Sequence, residues 1–97
     1  MPAYVISVTS AILDPEAAQR YSELARPAVL AHNGSYLVRT TEFEVEEARD
    51  PAPARIVVIE FPDRAAARAW YDSPEYAPAR QIALRALHRQ LWFADAL

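Results

Sequence analysis

The sequence predicts one α+β domain of ferredoxin-like βαββαβ plan, a four-stranded antiparallel sheet with its helices on one face. Three observations predict it. Four segments alternate apolar and other residues with period two, as strands do. Two stretches repeat apolar residues at helical spacing behind aspartate or serine caps. Their order, packed into 97 residues, is the split βαβ arrangement. At this length one core is possible but marginal, so help from a second subunit is expected from size alone. Residues 1–97 are expected to form this single domain.

Tyr4 to Ile12 is the first strand, with Tyr4, Ile6 and Val8 on one side and Val5, Ser7 and Thr9 on the other. Asp14 then caps a helix with Pro15 at its first position, and Ala17, Tyr21, Leu24, Ala28 and Ala31 recur at helical spacing. Pro27 lies inside that pattern and should kink or interrupt it. Asn33-Gly34 closes the helix. The second strand is expected over Ser35 to Val45, placing Tyr36, Val38 and Thr40 opposite Leu37, Arg39, Thr41 and Phe43; a prolyl loop, Asp50-Pro51-Ala52-Pro53, follows its acidic end.

Arg55 to Phe61 is the third strand, apolar at almost every position, with Val57, Ile59 and Phe61 on one face and Ile56, Val58 and Glu60 on the other. Pro62-Asp63 opens an alanine-rich helix, Arg64 to Tyr71, and Ser73-Pro74 restarts a second helical piece running to about Leu87. The crossover is therefore a broken helix. His88 to Ala94 is the last strand, with Leu91 and Phe93 opposite Gln90 and Trp92.

With both helices on one face of such a sheet, the other face is bare. A face open to water should read polar, yet the first and third strands carry Val, Ile, Tyr or Phe on both sides. A homodimer with sheets packed face to face is the simplest closed solution, and about 800 Å² buried per partner would be typical. The alternative is that residues such as Tyr4 and Val5 are tolerated singly at the surface.

Composition restricts the chemistry. A net charge of −3 with no basic cluster lacks the footprint of a phosphate-backbone binder, so no nucleic-acid partner is expected. No apolar run approaches the ~20 residues that span a bilayer. Met1-Pro2-Ala3-Tyr4 also lacks the basic and apolar regions of a signal peptide. The expectation is a cytoplasmic chain with no membrane partner. Without cysteine there is no disulfide, thiolate nucleophile or Cys-bearing zinc site. All ten basic residues are arginine, which excludes a Schiff-base lysine and a phosphate-loop lysine. Gly34 is the only glycine, which excludes a glycine-rich dinucleotide loop. No cofactor is expected.

Three strings carry a family resemblance: Asn33-Gly34-Ser35-Tyr36-Leu37-Val38-Arg39, Val57-Val58-Ile59-Glu60-Phe61-Pro62 and, most specific, Ala69-Trp70-Tyr71-Asp72-Ser73-Pro74-Glu75-Tyr76. From Tyr4 to about Arg85 the chain resembles the domain-of-unknown-function family numbered 1330, within the dimeric α+β barrel superfamily. The resemblance implies the same fold and sheet-to-sheet dimer, and no established activity. Related barrel families include cofactor-free monooxygenases, small-ring isomerases, dehalogenase-like proteins and ligand-sensing domains, and fold alone does not choose among them. The chain departs from the pattern in having a single Gly34 for the usual glycine pair and Thr40-Thr41 at a place commonly glycine. Phe93 to Leu97 also lacks the usual acidic-glycine finish. A pocket built from those segments is expected to differ in shape.

In this fold a cleft often lies between sheet and helices, and His32, Arg39, Glu60, Trp70, Tyr71, Tyr76 and Arg80 are its candidate polar lining. Arg39 would bind a substrate carboxylate while Glu60 or His32 acts as base; alternatively Arg39 and Glu60 pair with each other. His32 equally suits the last turn of its helix, where an imidazolium meets the helix dipole favourably. Two isolated histidines, His32 and His88, share no ligand spacing, so no metal is expected. Trp70, Tyr71, Ser73, Tyr76 and Arg80 would form a substrate-binding wall for an apolar small molecule, or else pack the core and cap the broken helix. Ser73 lacks the strand-turn-helix elbow of a nucleophile. Three functions follow: an enzyme without a tightly bound cofactor acting on a small apolar or acidic molecule, a non-catalytic small-molecule binder, or a structural dimer.

Overall fold

The computed structural model describes residues 1–97 and has the expected α+β architecture. In chain order the elements are β1 (Ala3–Ile12), α1 (Pro15–Ala31), β2 (Ser35–Thr40), β3 (Arg55–Phe61), α2 (Arg64–Asp72), α3 (Ala77–Ala86) and β4 (Leu87–Asp95). The strands form one antiparallel sheet in the order β2-β3-β1-β4. No helix is long and apolar enough to cross a membrane.

The sequence explains most boundaries. Asp14 and Asp63 cap α1 and α2, their carboxylates accepting from the backbone N–H of Ala17 and Ala66. Pro27 does not interrupt α1, which runs through it. The proline is exposed, as is Glu23, whose carbonyl it leaves free, so water can satisfy that group. The buried helix face keeps Ala17 and Ala28 of the expected set but is turned at its edge: Ala18, Ala25 and Val29 are buried too, whereas Leu24 and Ala31 are exposed.

Asn33 adopts φ 64° just past the His32 cap. The N–H of Asn33 then reaches the Leu30 carbonyl and that of Gly34 the Val29 carbonyl, which is a Schellman ending. Gly34 itself is needed for space. A Cβ there would lie 2.6 Å from Val29 Cγ1 and 2.8 Å from Phe61 Cε1. Gly34→Ala should therefore cost about 1–3 kcal/mol through overpacking, seen as a lower urea midpoint. An unchanged midpoint would mean the Phe61 ring yields freely.

β2 ends at Thr40 rather than at Val45. Its last pair is Thr40 with Ile56, one residue inside the start of β3, so residues 41–45 find no partner. The Thr40 hydroxyl also accepts from the Glu42 N–H and turns the chain away. A register shift between Tyr36 and Val38 changes the facing within β2. Tyr36 and Arg39 both pair into the row of Ile59 and Val57, while Val38 and Thr40 share the opposite face.

The helical crossover is broken as expected, but the second piece begins at Ala77, not at Pro74. Ser73 ends α2 instead of opening α3: its hydroxyl donates to the Trp70 carbonyl at 2.7 Å and accepts from the Tyr76 N–H at 3.1 Å. This pins Tyr76 beneath the turn, fully buried, with its ring 4.3 Å from Trp70. Phe61, Trp70, Tyr76, Val5 and Val29 make the core between sheet and helices.

The opposite face of the sheet carries no helix. One cross-strand row on it runs Val38, Val58, Ile6, Trp92 and is apolar on all four strands. Val38 and Trp92 are exposed, Ile6 and Val58 half-buried by their neighbours.

Candidate functional site

On the helix-facing side, one end of the sheet breaks the apolar pattern. Arg55 on β3 and Arg89 on β4 share the facing of Val57, Ile59, Leu91 and Phe93, and both sit opposite Thr9 on β1. Arg39 stands beside them, paired in register with Val57. The core aromatics fill the other end of the sheet, so a cleft remains at the arginine end under α1, which supplies Tyr21, Ser22 and Ala25. The space reaches about 420 Å³ only when its open mouth is counted, and its closed part has room for about one water molecule. The space is a narrow slot. Its floor is apolar, formed by Val57, Ile59 and Leu91, with Trp70 in its wall, and outside lies a polar vestibule containing Gln19, Thr40, Thr41 and Glu42.

Arg89 is held rigidly. It donates from Nη1 to the Tyr21 hydroxyl at 3.0 Å and from Nη2 to the Tyr76 hydroxyl at 2.9 Å, and the two hydroxyls are 2.8 Å apart. Burial opposes its charge, but the two phenol oxygens outweigh that and raise its pKa. Arg55 has no such support: its Nε is buried without an acceptor. Burial lowers its pKa, the nearby charges of Arg89 and Arg39 add to this, and Tyr21 opposes it. An arginine nevertheless stays cationic at neutral pH. Arg39 lies 5.6 Å above the Tyr36 ring. No carboxylate lines the slot, and the two ion pairs of the protein, His32 with Glu75 and Arg64 with Asp95, involve none of these arginines.

Counting protons fixes the direction of the tyrosine pair. The two phenols share one hydrogen bond, so one of their two protons must go elsewhere. If Tyr21 donated, the proton left over would belong to Tyr76, which is fully buried with no other acceptor. Tyr76 therefore donates to Tyr21. Tyr21 then accepts from Tyr76 and Arg89 and turns its own proton toward the slot that it lines. Tyr21 O–H faces the slot without an acceptor, and Arg55, which lines it, has its Nε–H buried without one. The Trp70 Nε1–H is a third, buried and unpartnered in the wall.

Burial, and next to it Tyr21, raises the pKa of Tyr76 against the pull of Arg89; burial likewise raises that of Tyr36 against Arg39. Below about pH 10 these phenols keep their protons in folded and unfolded chains alike, and their contribution to stability is complete. Above it the unfolded chain ionises first, binds fewer protons than the folded one, and stability falls. Stability from urea unfolding should drop above about pH 10, by up to about 1.4 kcal/mol per pH unit per phenol. A flat profile there would contradict the buried placement.

Of the residues singled out in the sequence, the structure brings Arg39 and Trp70 to this slot, with Tyr76 behind Tyr21. Tyr71 and Arg80 lie outside it: Arg80 donates to the Tyr71 carbonyl and covers the Tyr71 ring at 5.3 Å. Ser73 serves the turn described above. Glu60 is on the other face of the sheet, opposite Ser35 and Tyr4, so it neither pairs with Arg39 nor reaches the slot. His32 caps α1 and ties it to the turn between α2 and α3 through Glu75 Oε1, 2.9 Å from its Nε2. Sequence reasoning missed Tyr21, Tyr36, Arg55 and Arg89. The legible signal for Arg55 and Arg89 was an arginine at the core-facing parity of each strand.

A family model described as "Domain of unknown function (DUF1330)" matches residues 2–97. No curated protein matches. Among solved structures, the chain is similar to a protein of unknown function from Rhodopseudomonas palustris, with 18% identity and TM-score 0.78, covering 99% of this chain and 82% of that one. It is similar to a dimeric ferredoxin-like protein of unknown function from Jannaschia sp. CCS1, with 13% identity and TM-score 0.71 over 99% of this chain and 100% of that one. It is also similar to SnoaB, a cofactor-independent oxygenase from Streptomyces nogalater, with 14% identity and TM-score 0.66 over 99% and 92% of the two chains. At these identities the likeness establishes the fold.

Proposed function

The chain belongs to the DUF1330 family, and from that premise we propose that it is a small-molecule-binding protein whose slot takes a compact, flat organic anion. One observation carries this reading: three arginines and a phenolic donor converge on an apolar floor, and none of the three is in an ion pair, although Glu42 shares the outer vestibule with Arg39 and Arg55. A half-buried cation without a counter-ion is costly, and an anionic ligand is the group that relieves it. Arg39 at the mouth would receive the ligand, Arg55 and Tyr21 would hold its charge, and Arg89 would fix Tyr21.

An enzymatic reading remains attached to the same slot, in keeping with the oxygenase among similar structures. Glu60 and His32 do not line the slot, so a proton transferred there would run through Tyr21, the hydroxyl set between Arg89 and Tyr76. The proposal also makes the protein a homodimer through the helix-free sheet faces. The apolar row across all four strands supports this, as does the dimeric description of the Jannaschia protein.

The test is calorimetric titration with benzoate and with benzamide, its neutral isostere, on the wild type and on Arg55→Met. Benzoate binding that benzamide does not reproduce, and that the variant loses, is the expected result. Equal binding of both compounds, or an indifferent variant, sinks the reading.

A further inference from the structure

The closed end of the slot has room for about one water molecule, and the polar groups that line it are chiefly hydrogen-bond donors. Ser7, 4% exposed, lines it from the middle of β1, and its hydroxyl makes no hydrogen bond within the protein. Tyr21 turns its proton toward the same space, its oxygen already accepting from Tyr76 and Arg89. Arg55 lines both the slot and the vestibule and has no acceptor in the protein. Its Nε is sealed from solvent, so an ion would meet the outer guanidinium nitrogens.

These groups lie close together. Ser7 and Thr9 are successive core-facing residues of β1, and Thr9 is opposite both Arg55 and Arg89, which puts Ser7 one row, about 7 Å along the strand, from the two arginines. The Arg55 guanidinium is near enough to feel the charges of Arg89 and Arg39 and the phenols of Tyr21 and Tyr36, and all five residues line the slot. None of the three arginines is in an ion pair. A water molecule would fill the space and leave that positive charge as it is. A sulfate or phosphate exceeds the space. A monatomic anion fits it, accepts from the donors around it and supplies the missing counter-charge.

We propose that the closed end of the slot is a halide site, occupied by chloride when no organic ligand is bound and held by Arg55 and by the hydroxyls of Tyr21 and Ser7. This goes beyond the organic-anion reading, because it fills the part of the slot that is too small for an organic molecule. Both anions draw on Arg55, so chloride and an organic acid exclude each other, and binding of the acid falls as chloride rises.

The ³⁵Cl resonance of sodium chloride, whose line broadens when the ion exchanges with a fixed site on a protein, tests this directly. Wild-type protein and Arg64→Met should broaden it equally, Ser7→Ala should broaden it less, and Arg55→Met should remove most of the broadening. Benzoate affinity should be about tenfold lower in sodium chloride than in sodium fluoride at equal ionic strength; fluoride is the contrast ion because its tighter hydration costs more to remove. A line that wild type and Arg55→Met broaden equally overturns the halide site. Benzoate binding that ignores the choice of salt does the same and leaves the organic-anion reading intact. A line broadened by wild type and not by Arg55→Met, with no benzoate binding in either salt, keeps the halide site and removes the organic-anion reading.

Discussion

Arg55→Met is expected to lose benzoate binding by about tenfold to a hundredfold while making the folded chain more resistant to urea. The two effects have one origin. Arg55 shares the facing of Val57, Ile59 and Phe61, positions that the fold uses for its core, and its Nε is buried without an acceptor. In the free protein the guanidinium is desolvated beside Arg89 and Arg39, and both burial and those charges disfavour it. Methionine keeps much of the apolar stem and fills irregular space, so packing is retained while the uncompensated charge is removed. Replacing a poorly solvated charge by a well-packed apolar side chain is typically neutral or stabilising, here about 1 kcal/mol. A charge-assisted hydrogen bond to a carboxylate is worth about 1.5–3 kcal/mol, which sets the loss in affinity. Arg64→Met is the control, since Arg64 is exposed and pairs with Asp95 at 3.0 Å outside the slot. It should leave benzoate binding unchanged. A destabilised Arg55→Met with wild-type affinity would show that the arginine supports the sheet and not a ligand.

The sequence made the fold legible because its signals were local. Alternation in β1 and β3, the caps Asp14 and Asp63, and the Ser73 break each depend on residues within one or two turns of chain. The site depended on two features that local reading does not carry. The register shift in β2 puts Arg39 on the same face as Tyr36 despite their odd spacing, so parity counted along that strand misplaced Arg39 relative to Tyr36. Glu60 and Arg39 came from adjacent strands and looked pairable, but neighbours in a sheet meet only when they share a face, and Glu60 alternates against Ile59 and Phe61. The three-way contact of Tyr21, Tyr76 and Arg89 spans residues 55 and 68 positions apart in sequence and has no local trace. What was available was parity itself: Arg55 and Arg89 fall at core-facing positions in otherwise apolar strands. Neither arginine is in an ion pair, which separates these positions from a structural salt bridge.

The open face yields the other large effect: Val58→Asp should convert the proposed homodimer into a monomer of 10.9 kDa in sedimentation equilibrium. Val58 lies at the middle of the face, opposed by Ile6 on β1 and Val38 on β2, with Trp92 completing the row beyond Ile6. In a two-fold dimer the central row of one protomer packs near that of its partner, so each substitution appears twice and brings two carboxylates into an apolar contact. Burying either charge unpaired costs several kcal/mol, enough to dissociate an interface of about 800 Å² per partner at micromolar concentration. Because Val58 is already half-buried within the protomer, the substitution also strains the sheet. Trp92→Asp separates the two effects: Trp92 is 47% exposed, so the protomer loses little while the interface loses its largest side chain. Both variants should be monomeric, and Trp92→Asp should retain benzoate binding, since the slot is on the other side of the sheet. A dimer that survives both substitutions would place the subunit contact elsewhere and leave the apolar row without a partner.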